Sequence, residues 1–434
     1  LVAGRRMGLF MVAFSLSANN IGGGSTTGLA QKAFGAWGVS AIWYVLAASL
    51  AMIPLAYFAP KIRKTMAVTI PEVVGRRFGK LSSNFTAVLS VLSLFCLTSS
   101  QIGASGAVIN ALIPTIPLNV CLLLAGFVTI FYTTFGGMIA DQVSDLIQFG
   151  IILVGLAIAT PIVLKHAGGW AAISAALPGE KLNMTQIGWA SIIGYFFNYF
   201  CTFLCGPEMV SRFETCKDEK TAVRASFLCA ILMAAMAVFP TLLGLAENGS
   251  NAMMIVTGTY APGIVTGLIS AAIICATMSS ADSNLLCMST MIINDIYPGF
   301  GGKKKLNDKQ TIFYTRACNV VAALVAMGIS MFGVSLVAMN TFAFGIRCAG
   351  PFAAYGLGLA VPKATKNSGM ISIFTGTIAF VVWQLLSNGG TLWFMMPVVF
   401  GSLVSVITFY VVNLIEWKRG VPAAPSAYAA EEAK

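Results

Sequence analysis

Apolar stretches follow one another along nearly the whole chain, separated by short polar segments that hold most of the charge. Residues 81–140 contain no Asp, Glu, Lys or Arg, and Pro114 to Pro117 punctuate that run as a turn between two helices. A helix rising about 1.5 Å per residue crosses a hydrocarbon core of about 30 Å in roughly 20 residues. This measure predicts twelve spans, near 8–31, 38–59, 83–111, 118–136, 146–164, 187–206, 225–246, 262–294, 317–333, 336–360, 369–387 and 393–415. Residues 133–148 read as a glycine turn leading into a helix, and the Ala-rich tail from Pro422 reads as disordered.

Composition agrees with the pattern: 57% of residues are hydrophobic and 9% charged, against about 25% charged in soluble domains. An all-α polytopic membrane protein is implied, forming a single transmembrane domain over residues 1–434. The formal charge of +11 does not point to nucleic acid, because the bases are ordered by topology. With Arg5 and Arg6 placed inside, Lys32, Lys165 and Lys181 fall outside, Arg347 lies within a span, and every other lysine and arginine falls inside. That asymmetry places both ends in the cytoplasm and the bases against the anionic leaflet of the lipid bilayer. The expected compartment is a prokaryotic cytoplasmic membrane. Nothing in the chain names a protein partner. One histidine, and ten cysteines of which all but Cys216 lie in apolar segments, exclude a His-based triad, a zinc cluster and a disulfide framework. No enzyme is expected.

Three spans carry chemistry. The first is apolar to Ala18 and then meets Asn19, Asn20 and three consecutive glycines from Gly22, which cannot sustain a stiff helix and free backbone carbonyls. The sixth is interrupted by Cys205, Gly206 and Pro207 and then carries Glu208. Counted in spans, the two breaks occupy matching places in two sets of five, the sequence pointer to a solute site in an inverted-repeat transporter. In the eighth, Ala276, Ser279 and Ser280 share a face that Asp282 and Ser283 continue. Small residues allowing close helix approach are the plain alternative for the serines, whereas an acid in mid-membrane marks function. Gln101 on the third span suits either a solute or an interhelical hydrogen bond. Asp141 reads as a solvated acid at a helix start, and Asp145 lies at the mouth of the fifth span. Arg347 needs a partner, with Glu208 or a solute carboxylate as the candidates.

With those residues in view, the chain resembles the sodium:solute symporter family over essentially its whole length. The likeness is carried by LVAGRRMG, NIGGG, GGMIADQVSDLIQ, GPEMVSRF and ATMSSADSNLL…NDIY, and it is similar in motif to the high-affinity choline transporter branch. Asn20 and Glu208 stand where that branch has tryptophans, so a different substrate is expected. The resemblance implies a five-plus-five inverted-repeat (LeuT-like) core, about 7–165 and 187–360, with broken first and sixth spans. Two extra C-terminal spans, about 369–415, and a tail, 420–434, would follow. A further span before Leu1 is expected. The implied sodium ligands are backbone oxygens of Ala18, Ile21 and Ala276 and the hydroxyls of Ser279 and Ser280. Asp145, Asp282 and Ser283 are candidates for a second cation. The solute-binding candidates are Asn20, Gly22, Gln101, Thr202, Phe203, Glu208 and Arg347. The function this implies is a sodium-coupled symporter importing a small polar organic solute, an amino acid or carboxylate being favoured. A proton-coupled solute carrier and a transporter-like membrane sensor are the alternatives.

Overall fold

The computed structural model describes residues 3–246, 263–299, 306–333, 336–388, 390, 392–393 and 395–428. The described chain is helical, and among the described residues pairing of strand type is limited to isolated bridges. Among the described residues, eight helical segments are long and apolar enough to cross a membrane, and two shorter apolar segments, Leu118–Phe131 and Trp189–Leu204, accompany them. The expected first and tenth spans fall short of that measure because each is interrupted, as the sixth is.

In the first span, α1 (Leu9–Asn20) ends where Ile21 leaves helical geometry, and the chain resumes through a π-helical turn, Gly24–Gly28, into α2 (Leu29–Phe34). After α3 (Trp43–Thr65), the short α4 (Ile70–Phe78) is capped by Thr69, whose hydroxyl accepts the Glu72 N–H. The Arg77 side chain of α4 is buried and donates to the Pro362 carbonyl at 3.0 Å. Then come α5 (Lys80–Leu112) and α6 (Leu118–His166). The glycine turn expected at Gly136 and Gly137 falls within the bounds of α6.

Following α7 (Gly169–Ala176), the sixth span consists of α8 (Trp189–Leu204) and α9 (Pro207–Thr215), separated at Cys205 and Gly206. Proline at the first position of α9 has no N–H to leave unsatisfied there. The two broken spans are tied together, since the Met7 N–H donates to Thr215 O and the Lys217 N–H to Met7 O, both at 3.1 Å. α10 (Glu219–Leu245), α11 (Gly263–Met291), α12 (Asp308–Ser330) and α13 (Leu336–Cys348) follow. A stretch at 247–262 and the run 300–305 lie outside the described residues.

The last two long helices, α14 (Lys366–Leu386) and α15 (Pro397–Lys418), pack against each other. The contact is close because it is made of small residues: a Cβ at Gly376 of α14 would lie 2.7 Å from the Ser405 Cβ of α15. The described part of the tail is packed rather than disordered. Ala427 is buried, the Ala424 N–H donates to Ala364 O at 2.7 Å, and the Tyr428 hydroxyl donates to Leu359 O at 2.9 Å. At the centre, α1 lies against α6, α10 and α11, which brings the first break beside the serine-rich helix.

Candidate functional site

Where α1 unwinds, its freed carbonyls meet hydroxyls. Ser25 donates to Asn20 O at 2.9 Å, Thr26 to Gly22 O at 3.0 Å and Thr27 to Gly23 O at 2.9 Å. The Gly23 N–H donates to Gln101 Oε1 at 3.1 Å, fastening the unwound segment to α5. Across from it, the Ser280 hydroxyl of α11 is shared between Asn19 O at 3.1 Å and Ala276 O at 3.2 Å. Ala18, Ile21, Ala276, Ser279 and Ser280 are all buried around this contact. The Ser279 hydroxyl is engaged elsewhere, donating to Asp145. Every group meeting at the Ser280 contact is a neutral oxygen, the donor set a hard monovalent cation takes and can leave again.

One turn further along α11 lies an acid cluster. Asp141, Asp145 and Asp282 are buried, with carboxylate oxygens within 4.8 Å of one another. Arg212 of α9 is buried among them, pairing with Asp141 at 2.8 Å and Asp145 at 3.1 Å. The guanidinium also donates to Ser15 at 3.1 Å, to Glu208 O at 3.3 Å and to Ser283, so it joins α1, α6, α9 and α11. Ser283 in turn donates to Asp141 at 3.0 Å. Asp282 accepts the Ser283 N–H at 2.7 Å through one oxygen, and its other oxygen is without a partner. Asp141 is therefore not a solvated acid at a helix start, and Arg212 is not a loop base. Each is buried because the other neutralises it.

Beside the Ser280 contact, between the two broken spans, lies a polar cavity of about 50 Å³. Asn20, Gly22, Gln101, Phe203, Glu208 and Arg347 line it. Thr202, from the same candidate set, does not: it is buried with its hydroxyl 4.0 Å from the Cys348 sulfur. Glu208 and Arg347 form a two-pronged ion pair at 2.7 and 2.6 Å. Reading by motif did not single out Tyr44, Tyr199, Asn340 and Phe344, which also line it, as do Asn19 and Ser280 of the neighbouring contact. Three of these are aromatic residues in apolar runs, indistinguishable there from core. Arg212 was missed for another reason, since counting bases by side does not report depth.

The family profile described as sodium:solute symporter family matches residues 1–376. A sodium/proline symporter of Staphylococcus aureus (strain bovine RF122 / ET3-1) is 27% identical over 97% of this chain and 88% of its own. A second from Staphylococcus aureus is 26% identical over the same shares. Among solved structures, a substrate-bound, outward-open sodium-coupled sialic acid symporter superposes with a TM-score of 0.81 at 21% identity, covering 98% of this chain and 92% of that one. A nucleobase-cation-symport-1 family transporter in a closed conformation gives 0.63 at 15% identity, covering 98% and 96%.

Proposed function

The chain belongs to the sodium:solute symporter family, and from that premise we propose that it imports a small polar organic solute by alternating access, driven by the sodium gradient. The observation carrying this reading is the Ser280 hydroxyl bridging α11 to the carbonyl of Asn19 where α1 unwinds. A sodium ion there would be held by backbone oxygens of Ala18, Ile21 and Ala276 with the hydroxyls of Ser279 and Ser280. It would fix α1 to α11 and complete one wall of the solute cavity. Solute and ion then raise each other's affinity through linkage. The sodium/proline symporters among its relatives support an amino acid or carboxylate as the solute.

Asp145, Asp282 and Ser283 would hold a second cation, since three buried carboxylates face one guanidinium. That same excess of negative charge favours the second reading, proton coupling, more than any other feature does. The basic loops support a reading in which both ends lie in the cytoplasm of a prokaryotic cell. The protein is read as a carrier rather than an enzyme. Uptake of labelled amino acids, carboxylates and sugars into proteoliposomes tests the proposal. An inward sodium gradient should drive accumulation of one class; accumulation that follows a proton gradient and ignores sodium would overturn it.

A further inference from the structure

Arg347 and Glu208 face each other across the gap between the sixth-span break and α13, in the wall of the cavity. Nη1 donates to Oε2 and Nη2 to Oε1, so each carboxylate oxygen is engaged by the same guanidinium. The side chains are only 1% and 7% exposed. Two buried donors of the same lining are left without partners, Arg347 Nε and Asn19 Nδ2. The formal charge of this pair is zero, and the rest of the lining is neutral.

A buried pair of this kind restricts what can share its cavity. An anionic solute that draws the guanidinium to itself strands the Glu208 carboxylate, and a cationic solute that takes the carboxylate strands Arg347. Leaving one buried charge unpaired is strongly unfavourable. A solute bearing both charges can exchange partners instead, its carboxylate going to Arg347 and its ammonium to Glu208, with all four charges remaining paired. The unpartnered Nε and Asn19 amide supply further donors for the incoming carboxylate, and planar two-pronged geometry suits it.

We infer that the Arg347–Glu208 pair is a charge filter that opens by exchange of partners, admitting zwitterions of zero net charge and rejecting anions or cations of the same shape. The inference rests on reading this cavity as the solute site of a sodium symporter, and it narrows the solute from amino acid or carboxylate to the former chemistry.

The test uses the purified full chain and two readouts. Thermal stabilisation by sodium alone reports the ion site. Sodium-dependent binding is then measured for a set of amino acids, each beside the amine lacking its carboxylate and the acid lacking its amine. The expected binder is a zwitterion, with both matched analogues weaker by on the order of a hundredfold. A sugar, anion or cation binding as well as any zwitterion overturns the filter while leaving sodium coupling intact; loss of sodium stabilisation removes the parent reading as well. Glu208→Gln should improve the matched acid relative to its amino acid by at least about tenfold. Where that variant fails to fold, Glu208→Gln with Arg347→Gln removes both charges. The double variant should keep sodium stabilisation and lose discrimination among the three charge classes; undiminished discrimination would overturn the proposal.

Discussion

Replacing Arg212 with methionine keeps a long side chain in place but removes the guanidinium that pairs with Asp141 and Asp145. Both carboxylates are buried, and Ser15 and Ser283, which also bind them, are neutral. Breaking a buried pair by deleting one member costs about 3–5 kcal/mol, because the partner's charge is left uncompensated. That corresponds to roughly two to three and a half powers of ten in the ratio of folded to unfolded protein. The expected loss is set by the stranded acids more than by the missing contacts. Asp141→Asn with Asp145→Asn, added to Arg212→Met, should therefore restore more than half of it. Arg212→Lys should be intermediate, since a lysine cannot reproduce the fork that reaches four helices. The assay is the half-life of monodisperse protein in detergent at fixed temperature, beside denaturant titration where unfolding is reversible. An Arg212→Met protein within about 0.5 kcal/mol of the parent, or asparagines that recover nothing, would refute the reasoning.

Alanine at Gly23 would place a Cβ 2.5 Å from the Ala104 Cβ, pushing the unwound segment off α5. Gly23→Ala should therefore abolish sodium-driven uptake more completely than Gly22→Ala, whose Cβ meets the movable Gln101 amide at 2.8 Å; uptake measured in the reverse order would count against the placement of the break. Asp282→Asn removes a charge that lacks full compensation, so stability should hold or rise while the number of cations carried per solute falls; an unchanged ratio of sodium to solute flux would return Asp282 to packing. Asp218 caps α10 outside the membrane, and its bond from the Thr221 N–H holds its carboxyl below the usual value. Its contribution is present above the ordinary carboxylate pKa and lost as pH falls through the depressed one. Asp218→Ala should cost about 1 kcal/mol at pH 7 and less as pH falls through that depressed value; a cost independent of pH would contradict the cap.

The breaks in the first and sixth spans were legible because their chemistry is local: consecutive glycines and a Gly-Pro step cannot hold a helix wherever the rest of the chain lies. The Arg347–Glu208 pairing was legible as one of two candidates, since a buried base near an interrupted helix needs an acid and one stood beside the other break. Asp141 and Arg212 were not read correctly. Charge asymmetry assigns a base to a side of the membrane, and it is blind to whether a short segment such as α9 lies in a loop or within the bundle. A signal did exist in two acids one turn apart on α6, which require compensation if buried. The tail misled through composition, as the Ala424 bond to Ala364 and the Tyr428 hydroxyl bond to Leu359 depend on partners far earlier in the chain.

The central claim is that a sodium ion joins α1 to α11 through the Ser280 hydroxyl, and Ser280→Ala tests it most directly. Deleting one hydroxyl ligand of a charged species costs about 1.5–3 kcal/mol, a roughly ten- to hundredfold rise in the sodium concentration for half-maximal uptake. Solute affinity at saturating sodium should be nearly unchanged, because Ser280 acts on the ion. An alanine variant that keeps the parent's sodium dependence would contradict the account.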